Sequence, residues 1–431
     1  MKHFKNKNQL KNLYILQLGQ FVSQLGSKMT SFGLTIWTLE KSGSVLSVSA
    51  LMICSMLPSV LLSFIAGSLI DRLDKKKILL ISDTIAAICS MITLALLFLN
   101  LLDIWHLYII NIILGITNAF QEPTSNVVIS LIVPKELYTK TSGFRSFANA
   151  FKDTFAPIVS TSLYYLFGIE LIIIFDLCTF IFAFMSLSFF VHIPNDIAKK
   201  QIENKTFVSN CTEGISYIIN RKNIFHLIIF MGFVNFIAAI YSCNLMPMIL
   251  FRNGGNKFEY GIIVSAIGVA GILGSVLVSI KKEPKKRIPF ILNIMSFSFL
   301  ICNCMLGIGR NFYIWLIAVF IGNCLIPFLT ANVEYIMRTT VPLKIQGRVF
   351  AARNTLQYSY YLVGYLIGGI LSDKVFNPFM DKDSPLQHFL STFVGSGNGS
   401  GNALIYILIG LTGFLGCCLF KYDKYMKTLD N

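Results

Sequence analysis

The 431 residues are 55% hydrophobic and only 13% charged, with a formal net charge of +15 and ten cysteines. A soluble domain carries about twice that charged fraction, and apolar stretches of about 18 residues or more recur along the whole chain, so the composition excludes a soluble enzyme and implies an integral membrane protein. The basicity does not point to nucleic acid, because about 25 of the 36 Lys and Arg fall in alternate loops or at the termini and about six on the opposite side, the positive-inside pattern.

The first apolar stretch follows Lys2, Lys5, Lys7 and Lys11. It is too long and too polar inside for a signal peptide, and no small-residue cleavage site follows, so it reads as a first helix. The hydrophobic pattern predicts spans over 12–39, 44–70, 78–99, 104–132, 141–168, 169–193, 223–251, 258–280, 288–308, 312–341, 346–374 and 403–420. The charge bias places both termini, the Gly67–Lys77 loop, the Pro194–Lys222 connection and the Lys281–Arg287 loop in the cytoplasm. All cysteines but Cys211 fall inside these spans. Cys302 and Cys304 are too close together, with too few ligands nearby, to hold zinc, so they read as reduced packing residues.

The fold expected is an all-α integral membrane protein of 12 transmembrane helices in two six-helix, pseudo-symmetric halves. The most polar long internal stretch, 195–223, divides the chain into an N-terminal half (1–193), a cytoplasmic linker (194–222) and a C-terminal half (223–431). Each half echoes the other. Gly67-Ser68 before a basic loop recurs as Gly274-Ser275, and Asn118…Asn126-Val127…Pro134 recurs as Asn323…Asn332-Val333…Pro342. The offset stays near about 205–208 residues and spans six helices, so the copies share one orientation, as in parallel-repeat transporters.

A polar residue inside a span is costly, so its placement is informative. In the first span Gln17, Gln20, Gln24, Lys28, Ser31 and Thr35 fall within about 80° of one another on a helical wheel. The fourth span carries Asn111, Asn118, Glu122 and Ser125 in the same manner, and the fifth Arg145, Asn149, Lys152 and Ser160. In the second half Asn323, Thr330 and Glu334 share one face, and Arg353, Gln357 and Tyr360 another. Such stripes suit helices lining a water-accessible cavity. Gln20, Gln24, Lys28, Asn118, Glu122 and Lys152 form the expected substrate or proton site near the midplane, with Glu334 and Arg353 as a second charged layer nearer the cytoplasm. The alternative for each is a structural ion pair between neighbouring helices. Asp153, turned about 100° from Lys152, reads as packing, and Asp176 as structural.

The segment GSLIDRLDKKK, Gly67–Lys77, resembles the loop between the second and third helices of the major facilitator superfamily, Gly-x-x-x-Asp-Arg-x-Gly-basic-basic. Gly67, Asp71, Arg72, Lys75 and Lys76 match, while Asp74 replaces the second glycine. The resemblance implies a cytoplasmic conformational latch there. GQFVSQLGSKMTSFGLTIWTLEKSGS from Gly19, NAFQEPTSNVVISLIVPKEL from Asn118, FDLCTF from Phe175, GRVFAARN from Gly347 and YLIGGILSD from Tyr365 resemble the drug-efflux branch that contains macrolide exporters and a siderophore exporter. Two signatures of proton-coupled antiporters are altered. Asn111-Ile-Ile-Leu-Gly115 lacks the leading Arg of Arg-x-x-x-Gly, and Ala156-Pro157-Ile-Val-Ser160-Thr161 replaces Gly-Pro-x-x-Gly-Gly. Proton coupling is therefore implied by the family alone, with Glu122 as the expected carrier.

The Gly395–Asn402 run follows no strand and reads as a connector, not a phosphate loop. No Gly-x-x-x-x-Gly-Lys-Ser/Thr is present to hydrolyse ATP, and no metal or cofactor is expected. The expectation is a monomeric, multi-pass transporter of a bacterial plasma membrane that moves amphipathic small molecules outward in exchange for protons. An importer or facilitator of a metabolite, or a lipid-translocating protein, is the alternative. Its partners would be the substrate, protons and the lipid bilayer, and no nucleic acid.

Overall fold

The computed structural model describes the backbone of residues 2–132, 138–190, 207–342 and 345–430. It describes their side chains except at 2–14, 16, 63–72, 126, 129–132, 138–146, 190, 207–213, 347 and 351. Every regular element among them is helical. In chain order they are α1 (Lys2–Ser42), α2 (Val45–Arg72), α3 (Lys75–Phe98), α4 (Ile104–Ile132), α5 (Tyr138–Met185), α6 (Phe207–Asn220), α7 (Lys222–Arg252) and α8 (Lys257–Ile280). Then follow α9 (Arg287–Phe297), α10 (Cys304–Ile308), α11 (Phe312–Thr340), α12 (Gln346–Ile370), α13 (Asn377–Met380), α14 (Pro385–Val394), α15 (Ser400–Lys421) and α16 (Lys424–Lys427). Short π-helical turns extend α5 (Ser186–Phe190), join α9 to α10 (Ser298–Asn303) and extend α12 (Leu371–Phe376).

The helix starts are written in side chains. Asp74 caps α3 by accepting the backbone N–H groups of Lys76 and Lys77 at 2.9 and 3.2 Å. Asn256 accepts from Glu259 N at 3.2 Å before α8, and Asn311 from Ile314 N at 3.0 Å before α11. Each satisfies a donor that the first helical turn leaves without an internal partner. Asp74 therefore has a definite task where the family pattern has glycine.

Nine stretches among the described residues are long and apolar enough to cross a membrane, the longest being Phe147–Phe189. Gly168 breaks that one: its φ of +81° lies where a side chain is disfavoured, and the break turns α5 into two spans. With α1 and α12, whose polar faces lower their hydropathy, the described residues hold twelve crossing lengths. The predicted ninth span is α9, its π-helical turn and α10 in sequence. The 194–222 connection carries an element the pattern did not foretell, the amphipathic α6. Its Ile218 is fully buried, its Gly214 sits where a Cβ would come 2.5 Å from the Arg348 carbonyl, and its Tyr217 hydroxyl donates to Thr340 O at 3.4 Å.

The chain forms two compact units, residues 1–42 with 51–204, and 43–50 with 205–431. In the first, α1 packs along α5, and α3 against α4 and α5. In the second, α7 packs along α12 and α8 along α11, while α15 covers α7 and α9. A close helix approach recurs in both. Gly115 of α4 lies where a Cβ would be 2.4 Å from the Ser55 carbonyl, beside Pro58 of α2. Gly274 of α8 lies where one would be 2.3 Å from the Cys324 carbonyl, beside Pro327 of α11. Without a hydrophobic force between helices in lipid, such small-residue contacts let backbones meet.

The first turn of α2 belongs to the second unit. Asp373, in the π-helical turn after α12, accepts from Val45 N at 3.1 Å, Leu46 N at 2.8 Å and the Ser44 hydroxyl. Gly369 permits this, since a Cβ there would fall 2.9 Å from Leu46 Cα.

Candidate functional site

The polar stripe of α1 is the spine of the first unit, and its residues find partners on two other helices. Gln20 is buried and donates from Nε2 to Asp83 Oδ2 of α3 at 3.3 Å. Gln24, one turn on, accepts from the Lys152 ammonium of α5. Lys28, one turn further, forms an ion pair with Asp153 of α5. Lys152 is 6% exposed, whereas the side chains of Lys28 and Asp153 are 55% and 48% exposed. A buried ammonium is thus held by an amide, and the carboxylate beside it in sequence pairs with Lys28, one turn further along the same stripe of α1. Asp153 therefore does more than pack, contrary to the reading from helical angle alone. That angle ignored how closely α1 approaches α5, where the Ser160 hydroxyl donates to Met29 O at 2.9 Å.

Asn118 and Glu122 of α4 are exposed, and Glu122 makes no ion pair with a described residue. Glu122 is thus not brought to Lys152. The acids that are buried in the first unit are ones the stripes did not single out as sites. Asp83 is 5% exposed and accepts from the side-chain amides of Gln20 and Gln121. Asp176, also 5% exposed, accepts from the Ser27 hydroxyl of α1 and the Ser90 hydroxyl of α3, each at 3.0 Å. A lone acid inside the apolar run from Lys75 to Phe98 was the available signal for Asp83. Searching for stripes of several polar residues passed over it.

In the second unit Glu334 of α11 accepts from Arg353 of α12 at 3.0 Å and from Arg338, one turn along its own helix, at 2.8 Å. The acid–base pair expected across these spans is present, with Arg338 as an additional member. Asn323 turns back to Val319 O of its own helix at 2.9 Å.

At the expected latch, Lys75 is buried and Lys76 donates to the Ser188 carbonyl at 2.9 Å, pinning the start of α3 to the π-helical end of α5. The side chains of Gly67, Asp71 and Arg72 lie outside the described residues, as does that of Arg145.

The chain has relatives among known proteins. A family model described as the Major Facilitator Superfamily matches residues 16–365. Macrolide efflux protein A of Streptococcus pyogenes is 24% identical over 381 residues, covering 86% of this chain and 92% of that protein. The protein of the same name from Enterococcus faecalis is 25% identical over 325 residues, covering 73% and 97%. The crystal structure of the nucleoside transporter NupG superposes with a TM-score of 0.67 at 14% identity, covering 96% of this chain and all of that one, which is a likeness of fold. With 350 consecutive positions matched and the twelve-helix architecture in place, the chain belongs to the Major Facilitator Superfamily and is a multi-pass membrane transporter.

Proposed function

We propose that this transporter exports amphipathic small molecules of the macrolide type, in exchange for protons, by alternating access. The observation that carries the reading is the Lys28–Asp153 pair, a full charge pair on two membrane-spanning helices with about half of each side chain exposed. Charges facing hydrocarbon would be too costly, so α1 and α5 line an aqueous path at this level. Amphipathic molecules suit such a wall, because α5 also exposes Phe147 and Phe155, in line with Phe151, which stacks on Phe155 with ring centroids 4.1 Å apart. Phe151 meets Phe21 of α1 edge to face at 5.6 Å, so the two helices offer apolar and charged surface together. Similarity to two proteins named for macrolide efflux supports the substrate class and the outward direction.

Expression in an efflux-deficient bacterium tests this. Export predicts reduced macrolide sensitivity that a protonophore abolishes, and uptake of radiolabelled erythromycin into everted vesicles when their interior is made acid. Erythromycin entry into right-side-out cells that exceeds the vector control would instead make the protein an importer.

A further inference from the structure

Asp83 lies about 12 Å along α3 from its start at Lys75, well inside the span. Both of its carboxylate oxygens are taken by neutral amides, Oδ2 by Gln20 of α1 and Oδ1 by Gln121 of α4. No cation among the described residues reaches it. Among the described residues, the charged groups on the helices around it are committed elsewhere or face away. On α1, Lys28 is paired with Asp153, and on α5, Lys152 is bonded to Gln24 while Asp176 is held by Ser27 and Ser90. On α4, Glu122 is exposed, the π-helical turn Ser186–Phe190 has no titratable side chain, and on α3 itself Lys76 is tied to the Ser188 carbonyl.

A carboxylate buried in a span without a counter-ion is costly, and taking up a proton removes that cost. The partners at Asp83 suit both states. As a carboxylate it accepts two N–H bonds. As a carboxylic acid it has one O–H to donate, and a glutamine amide turned over presents its carbonyl to receive it. A lysine or arginine in place of either glutamine could serve only the charged state.

The site also has a route to the stripe. Gln20, Gln24 and Lys28 follow one another at four-residue spacing on α1, so they share a face. Gln20 therefore stands one turn from the amide that holds Lys152 and two turns from the exposed Lys28–Asp153 pair.

We propose that Asp83 is the residue that binds the coupling proton, with Gln20 and Gln121 as its partners and Gln20 as the link to the α1 stripe. This rests on the proton-exchange reading above and moves the carrier from Glu122 to Asp83. The proton is the only species transferred: it adds to one carboxylate oxygen on one side of the membrane and leaves it on the other.

Two measurements test it. The first is infrared difference spectroscopy of the purified protein in liposomes between alkaline and acid medium, with no substrate present. It should show a carboxylic-acid C=O band that Asp83→Asn removes and Asp176→Asn leaves in place. A band unchanged in Asp83→Asn, or lost only in Glu122→Gln, overturns the assignment. Should Asp83→Asn fail to reach the membrane, Gln121→Leu takes its place. Losing one amide partner should shift the frequency and titration of the same band, and an unshifted band counts against the proposal. The second is erythromycin transport in everted vesicles. Asp83→Asn should lose uptake driven by an acid interior while keeping erythromycin counterflow, which needs no net proton movement. Wild-type uptake that persists in Asp83→Asn sinks the inference and leaves proton-coupled export standing. An Asp83 band in a wild-type protein without acid-driven uptake leaves the proton site standing and sinks proton-coupled export of erythromycin.

Discussion

Lys28 and Asp153 keep about half of their surface, at 55% and 48% exposure, so the pair is screened and contributes little to stability, about 0–1 kcal/mol. Replacing Lys28 by Met should therefore leave the melting temperature of the purified protein nearly unchanged while altering the set of substrates exported, read as a changed pattern of growth inhibition. A large fall in melting temperature with an unchanged pattern would make the pair structural. Asp176 should behave oppositely. It joins α1, α3 and the second span of α5 through Ser27 and Ser90 and is buried. Asp176→Ala strands two hydroxyls and should cost about 1–3 kcal/mol in denaturant or thermal unfolding, with Asp176→Asn costing less because its carbonyl still accepts. The stripes on α1 were legible because polar residues at helical spacing in an apolar span stand out. Their partners were not. Periodicity tells which residues share a face but not which helix that face meets, so Lys152 was not assigned to Gln24, Asp153 was left to packing, and Asp83 was missed.

At the scale of the element, helix ends and breaks carry predictions of their own. Asp74 caps α3 through two N–H bonds and stands where the superfamily pattern has glycine. Asp74→Ala should destabilise the protein by about 1 kcal/mol, whereas Asp74→Gly should cost only a few tenths. Equal losses would show that the side chain matters for something other than the cap. Gly168 sets where α5 divides, and a Cβ there would also lie 2.4 Å from Glu170 Oε2. That division was visible in the sequence as an overlong apolar run, since 43 residues exceed what one crossing needs. The capping of α2 by Asp373 was not, although Gly369-Ile-Leu-Ser-Asp373 repeats the spacing of Gly67-Ser-Leu-Ile-Asp71. The spacing shows a glycine and an acid one turn apart, and only the packing of Gly369 on Leu46 shows which helix start they reach.

At the scale of the whole molecule, the constant offset between repeated segments made the six-and-six division an expectation. In the structure α1 packs along α5 within the first unit and α7 along α12 within the second. The residues after the last predicted span, 403–420, were given no element, because four-residue helices carry too little periodicity to see. They are in fact docked. Met426 of α16 is fully buried, and Asp430 accepts from Arg287 N at 2.7 Å and Ile288 N at 3.1 Å, capping α9. Asp423 lies with Oδ2 2.5 Å from His226 Nδ1 and accepts from the backbone N–H groups of Tyr425 and Met426. Partial burial pushes the Asp423 carboxyl up, but the bonds from His226 and the two N–H groups outweigh it and hold it below the usual carboxylate range. Because the folded value is depressed, the stabilisation is fully present above the ordinary carboxylate range and is lost as pH falls through the folded value. Acidification should therefore release the segment from Lys424 onward before the spans unfold, seen as faster amide hydrogen exchange there than in α15. Asp423→Asn should show that fast exchange already at neutral pH and lose its acid dependence. Exchange at 424–430 that stays slow in Asp423→Asn, or that keeps its acid dependence, would mean that Met426 and Asp430 hold the tail without the Asp423 anchor.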